Sequence, residues 1–230
     1  MTRVDFTRSL EQLLDEVLAL GSLVEQAIAR AIEALRDRDL QASRQVIEED
    51  DVIDSARFRL EEQCIELMAT QQPMATDLRI IITVTHVAVE LERMGDYAEG
   101  IAKISLAMGD EPPLKPLIDI PRMAGVSTDM LRRSLDALTH AVYLDEEEET
   151  VKQNAFQVCE DDDKVDALYD QVYRELLTFM MQDPSTIQRA TYLLWVAHNL
   201  ERIADRATNI AERVIFLITG ELIEINVSTY

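Results

Sequence analysis

The second half of this chain repeats the first, so the fold has to be built from two copies of one unit. Residues 46–54 (VIEEDDVID) match residues 158–166 (VCEDDDKVD) at an offset of 112. Residues 91–96 (LERMGD) match residues 200–205 (LERIAD) at an offset of 109. The two segments occur in the same order in both halves, and acidic residues align with acidic residues at the positions used below. Such self-similarity indicates a supersecondary unit duplicated in tandem.

Each unit reads as three long helices. Apolar residues such as Leu10, Leu13 and Val17 recur at three- and four-residue steps, which is the spacing of one helix face. Pro73 and Pro184 interrupt the pattern, because proline lacks an N–H group and disfavours helix in the residue before it. We therefore predict helices at about 6–35, 40–70, 75–108, 121–143, 150–181 and 186–219.

The predicted fold class is all-α, with two tandem three-helix bundles, six long helices in total, related by the internal repeat. A stretch rich in proline and glycine between residues 109 and 121 separates the two bundles. The predicted domains are residues 1–110 and residues 118–220. A loose C-terminal tail is expected at residues 221–230.

The charge balance argues against several classes of protein. The chain has 230 residues, 44 acidic and 22 basic, and a net charge of -22. Such a chain repels phosphate backbones and anionic lipids, so we expect no nucleic-acid binding and at most peripheral membrane contact. The first residues contain no apolar segment, so we expect no signal peptide, and no apolar run reaches the roughly 20 residues of a membrane span. With only two cysteines, Cys64 and Cys159, we expect a cytoplasmic protein.

Four pairs of acidic residues are the strongest candidates for chemistry. Each pair is spaced i, i+4, which puts both carboxylates on one helix face. Closing each hairpin at its proline sets two pairs at the same height, about 30 Å from the turn at 1.5 Å per residue. The predicted metal ligands are Asp50, Asp54, Glu92, Asp96, Asp162, Asp166, Glu201 and Asp205.

Carboxylates packed this closely need a counter-charge or must take up protons. Arg57 lies one turn after Asp54, but Tyr169 holds the matching place in the second half. A bound cation is a solution that suits both halves, and oxygen ligands favour hard ions. The expected cofactors are divalent or trivalent metal ions: Fe, Mn, Mg or Zn. The weaker ligand candidates are Glu49, Asp51, Glu99, Glu160, Asp163, Asn209 and Glu212.

Less specific interpretations stay open beside the metal hypothesis. The acidic pairs could be solvated helix faces or could be paired with arginines. His198 lies one turn before Glu201, but Val89 occupies the matching position in the first half. The chain contains no Glu-x-x-His motif, which argues against a ferritin-like oxidase. It also contains no phosphate-binding glycine loop.

Three segments resemble the PhoU family of phosphate-signalling regulators: residues 73–79 (PMATDLR), 92–98 (ERMGDYA) and 201–211 (ERIADRATNIA). The resemblance covers about residues 5–225. It implies two three-helix bundles side by side, with metal clusters bound through E/D-x-x-x-D motifs that map onto the eight acidic residues above. It further implies a non-enzymatic, cytoplasmic negative regulator that links a phosphate ABC transporter to a sensor histidine kinase.

The two halves differ at positions close to the acidic pairs. Gly100 stands where the second half has Asn209, and Tyr97 stands where it has Arg206, so the two sites need not bind metal equally. One alternative is a carboxylate-bridged metal enzyme, a hydrolase or oxidase, which would need an open coordination position in an enclosed pocket. Another is a structural helical adaptor without metal. A homodimer is a further possible assembly.

Overall fold

The computed structural model describes residues 3–143 and 147–225, with side chains described from Phe6 onward. Within these ranges the chain forms six α-helices and one 3₁₀ turn, which confirms the predicted all-α fold of tandem three-helix bundles. The helices are α1 (Arg3–Asp37), α2 (Leu40–Gln71), α3 (Thr76–Met108), α4 (Asp119–Tyr143), α5 (Glu148–Gln182) and α6 (Ile187–Thr219), with the 3₁₀ turn at Pro184–Thr186.

Local chemistry explains where the helices begin and end. The Asp39 side chain accepts hydrogen bonds from the N–H groups of Gln41 and Ala42, which caps the start of α2. Gly220, with a φ of 77°, ends α6 in the left-handed conformation that glycine adopts easily. Helix α4 begins at Asp119 rather than at the predicted position 121. Pro121 lies in its first turn, where a missing N–H group costs nothing.

Helices α1, α2 and α3 form the first bundle, and α4, α5 and α6 form the second. The apolar face predicted for α1 is the face that is buried, since Leu13, Val17, Val24 and Ile28 are at most 1% exposed. The free thiols of Cys64 and Cys159 are also buried. None of the helices in the described residues has the length and apolarity needed to cross a membrane.

The bundles meet where α3 packs against α6 and α1 packs against α4. On α3, Glu90 accepts a hydrogen bond from Asn209 of α6, with a donor–acceptor distance of 3.2 Å. A Cβ atom on Gly100 would lie 3.2 Å from the side-chain nitrogen of Asn199. The repeat offset of 109 carries Glu90 to Asn199 and Gly100 to Asn209. The pair Glu90–Asn209 is therefore equivalent to the pair Asn199–Gly100. This equivalence shows that an internal two-fold relation connects the bundles.

The tail after α6 is partly described. Residues 221–225 form no regular secondary structure, but the Ile225 N–H group donates a 2.7 Å hydrogen bond to Glu212. Ile223 and Ile225 also pack against the apolar core. The remainder of the predicted loose tail, residues 226–230, lies outside the described residues.

Candidate metal centres

Close packing of α2 against α3 brings the first set of predicted ligands together. Helix α2 carries Asp50 and Asp54, and α3 carries Glu92 and Asp96. Gly95 lies where α2 packs tightly against α3. A Cβ atom there would lie 3.1 Å from the Ile53 side chain and 3.2 Å from the Asp50 Oδ1 atom. The absence of a side chain at this position lets Asp50 approach the acidic face of α3.

Three carboxylates converge most tightly. Asp50, Asp96 and Glu99 each offer an oxygen atom within 4.8 Å of the other two. Glu99 appeared in the sequence only as a weak candidate, because it does not belong to an i, i+4 acid pair. It lies three residues after Asp96, which puts both side chains on the same helix face. The i, i+3 spacing was the signal that could have identified it.

Burial and mutual repulsion perturb these acids. Burial, followed by the charges of Glu99, Asp54 and Asp96, raises the pKa of Asp50 to about 7. Partial burial is also the main cause that raises the pKa of Glu92 and of Asp96, although Asp96 still lies at the surface. Each shift shows that a negative charge is disfavoured at its position in the protein alone.

One carboxylate oxygen in this centre lacks a partner. The Oδ1 atom of Asp54 is buried and accepts no hydrogen bond from the described part of the chain. A buried acceptor without a donor is costly, and a cation would satisfy it and offset the crowding of negative charge. The oxygen-only donor set fits a hard metal ion, so these residues fit the group that the sequence predicted.

Basic side chains neutralise part of the negative charge of the first centre. Lys103 pairs with Glu99. Arg57 has one guanidinium nitrogen 2.7 Å from Glu61 and another 3.5 Å from Glu92. Arg57 therefore supplies part of the counter-charge in the first repeat.

Helices α5 and α6 carry the second set, but within the described residues no three of its carboxylates offer oxygen atoms within 4.8 Å of one another. Burial, followed by the charge of Asp205, raises the pKa of Glu201 to about 7. The same two causes raise the pKa of Asp166, and burial raises the pKa of Asp205. Asp162 is 4% exposed and lies one turn before Asp166 on α5. Because the charges of these residues affect one another's pKa values, Asp166, Glu201 and Asp205 lie near one another.

The second centre has different neighbours. His198 places its Nδ1 atom 3.2 Å from Glu201, so this histidine does reach the centre. Burial lowers the pKa of His198. Arg202 approaches Asp205 to 2.6 Å. Tyr97 of the other bundle lies close enough to help raise the pKa of Arg202.

The two centres are not equal copies. The offset of 109 places Thr208 where the first centre has Glu99, and Glu212 where it has Lys103. The Thr208 hydroxyl is buried and has no hydrogen-bond partner within residues 3–143 and 147–225. The second centre therefore has a hydroxyl group where the first has its third converging carboxylate.

The other weak candidates lie elsewhere or bind other partners. Asn209 donates to Glu90 at the contact between the bundles. Glu49 pairs with Arg30. Asp51 and Glu160 are exposed, and neither belongs to the converging group of carboxylates. Asp163 lies close enough to Asp166 to contribute to the rise in its pKa, after burial and Asp205.

Comparison with known proteins gives a consistent result. The family model described as the PhoU domain matches twice, at residues 17–105 and 120–214. The phosphate-specific transport system accessory protein PhoU homolog of Clostridium acetobutylicum is 38% identical over 98% of this chain and 100% of its own length. The protein of that name from Aquifex aeolicus is 39% identical over 94% of each chain.

Two crystal structures share the fold. PhoU from Pseudomonas aeruginosa has a TM-score of 0.85 and 34% identity, covering 94% of this chain and 100% of that one. The phosphate transport system regulatory protein PhoU from Streptococcus pneumoniae has a TM-score of 0.85 and 30% identity, covering 96% of this chain and 100% of that one.

Proposed function

The chain belongs to the PhoU family, and from that premise we propose that it is a metal-binding cytoplasmic regulator of phosphate uptake and of phosphate-starvation signalling. Its relatives are named as accessory or regulatory proteins of phosphate transport. The chain is accordingly a regulatory protein and not an enzyme. The alternative of a carboxylate-bridged hydrolase or oxidase is set aside on the same ground.

The finer proposal is that the protein acts as an adaptor. It would connect a phosphate ABC transporter to a sensor histidine kinase and repress the phosphate regulon while phosphate is plentiful. The observation that carries the metal-binding role is the convergence of Asp50, Asp96 and Glu99 within 4.8 Å. A metal ion held there would reduce the repulsion between these carboxylates and stabilise the packing of α2 against α3. A net charge of -22 favours partners with basic surfaces.

A genetic and biochemical experiment tests this proposal. One variant carries Asp50→Asn with Asp96→Asn, a second carries Asp162→Asn with Asp205→Asn, and a third carries all four changes. We expect the fourfold variant to express a phosphate-regulated promoter in high phosphate and to lose binding to the kinase and transporter. A matched control carries Asp51→Asn with Glu160→Gln, two exposed acids on the same helices. Full repression and binding by a folded fourfold variant would overturn the proposal.

A further inference from the structure

The repeats differ at one place beside their acidic centres. In the first repeat Arg57 projects from α2, with guanidinium nitrogens 2.7 Å from Glu61 and 3.5 Å from Glu92. Its guanidinium carbon lies 4.1 Å from the centre of the Phe58 ring. Two carboxylates and an aromatic ring thus hold one arginine, an arrangement that suits a planar cation.

The second repeat keeps this environment but lacks the arginine. The offsets of 112 and 109 carry Arg57 to Tyr169 and Glu92 to Glu201. They also carry Phe58 to Asp170 and Glu61 to Tyr173. On α2 the aromatic residue comes before the acid, whereas on α5 the acid comes before the aromatic residue. The second repeat still offers two carboxylates and an aromatic ring around this place.

The structure has an open space at this place. A cavity of about 570 Å³ lies between α5 and α6, and its walls include Asp166, Tyr169, Asp170, Tyr173, His198 and Glu201. The Tyr169 and His198 rings lie 6.2 Å apart, between their centres, along one wall. Arg202 also lines the cavity, but it is already paired with Asp205 at 2.6 Å. The charge facing the cavity is therefore mainly negative.

The surroundings of the cavity suit a protein partner. Tyr173 is 44% exposed, Leu177 one turn later is 41% exposed, and Trp195 one turn before His198 is 52% exposed. Exposed aromatic and aliphatic side chains around an acidic pocket are typical of a protein-binding surface with a central anchoring residue.

We propose that this cavity binds an arginine side chain of a partner protein, so that the partner supplies the guanidinium group that Arg57 supplies within the chain in the first repeat. The carboxylates of Asp170 and Glu201 accept hydrogen bonds from the guanidinium group, and Tyr173 packs against its face. The strongly acidic chain attracts such a basic partner. For its role in the cell this inference rests on the proposed adaptor function.

Peptide binding to the full chain tests the inference. The probe is the blocked pentapeptide acetyl-Gly-Ala-Arg-Ala-Gly-amide, titrated in EDTA so that metal does not compete for Asp166 and Glu201. Binding is followed through the NMR signals of the His198 ring. We expect the citrulline peptide, which has the same shape without the charge, to bind at least tenfold more weakly. Equal binding of the two peptides, or no binding of either, would overturn the inference.

Variants locate the site. Tyr169→Arg supplies the arginine within the chain and should abolish peptide binding, while Asp170→Asn should weaken it. Glu160→Gln, an exposed change on the same helix, should bind as the unaltered protein does. Arg57→Ala should open a second site in the first repeat and raise the stoichiometry from one peptide to two. Thermal melting shows whether each variant is folded. If Tyr169→Arg does not fold, the binding result for Asp170→Asn decides the test. Unchanged binding by the deciding variant would contradict the proposal.

The two proposals can fail separately. Absence of peptide binding with metal-dependent repression intact would overturn only the arginine site. Loss of metal dependence with peptide binding intact would overturn only the proposed regulatory function.

Discussion

At the scale of single residues, Gly95 determines how closely the acid-bearing helices of the first bundle approach. Any side chain there meets Ile53 and Asp50 at 3.1–3.2 Å, closer than ordinary packing allows. The second repeat has Ala204 at the matching place, so its helices accommodate a methyl group. The geometry of the first centre thus depends on a residue that binds nothing itself.

We predict that Gly95→Leu lowers the free energy of unfolding by about 1–3 kcal/mol, because the added side chain forces α2 away from α3. The same displacement should weaken metal binding at the first centre, as read by titration calorimetry. Gly125→Ala is the matched control, since Gly125 is exposed on α4 with no atom within 4 Å of its added Cβ. This control should gain up to about 1 kcal/mol in urea denaturation. A Gly95→Leu protein as stable as the parent would contradict the packing described.

The raised carboxyl pKa values give a pH dependence to the metal-free protein. The pKa of Asp50 rises from 3.8 to about 7 and that of Glu201 from 4.5 to about 7. At pH values between the ordinary pKa and the raised pKa, the folded chain holds more protons at these two carboxyl groups than the unfolded chain does. Their contribution to stability therefore falls as pH rises from about 4 to about 7, and stays low above it.

We predict that Asp50→Asn and Glu201→Gln each reduce this loss of stability. The measurement is urea denaturation in EDTA at intervals from pH 5 to pH 8, comparing each variant with the parent. Asp136→Asn, at an exposed position on α4, should leave the pH profile unchanged. If the variants and the parent show parallel profiles, these two carboxyls are not the perturbed groups.

At the scale of helices, the repeat and the prolines predicted most of the architecture. Apolar spacing located all six helices, and the turn at Pro73 predicted that Asp50 lies close to Asp96. The rotation of each helix about its axis could not be predicted, because it depends on packing between residues far apart in sequence. For that reason the sequence does not predict the contact between Asn209 and Glu90, whereas the i, i+3 spacing of Glu99 from Asp96 was already visible in the sequence.

The α3–α6 contact provides a test at this scale. Glu90 accepts from Arg206 at 3.1 Å and from Asn209 at 3.2 Å, and its side chain is only 14% exposed. We predict that Glu90→Ala destabilises the protein by about 2–3 kcal/mol, because it removes the hydrogen-bonded ion-pair partner of the largely buried Arg206. Arg132→Gln removes an exposed ion pair with Glu25 at the α1–α4 contact and should leave the urea midpoint unchanged. If Glu90→Ala and Arg132→Gln lower the stability equally, the difference in burial between the two ion pairs does not matter as we argue.

At the scale of the whole molecule, one duplicated scaffold carries two centres that have diverged. The first has a third converging carboxylate in Glu99 and its own arginine in Arg57. The second has Thr208 and Tyr169 at those places, and an open cavity. The internal two-fold relation keeps the helices equivalent while side chains change. Under the two proposals above, the first centre would bind metal, and the second would bind either metal or a partner's arginine, since both ligands would use Glu201.

The most direct test of the metal-binding function is the metal content of untagged protein purified without added metal, measured by elemental analysis alongside native mass spectrometry. We predict bound metal in the parent protein. The variant with Asp50→Asn and Asp96→Asn should lose the metal bound at the first centre. The variant with Asp162→Asn and Asp205→Asn should lose the metal bound at the second centre. The variant with all four changes should lose the metal of both centres. Parent protein free of metal, or a folded fourfold variant that retains its full metal content, would contradict the proposed function.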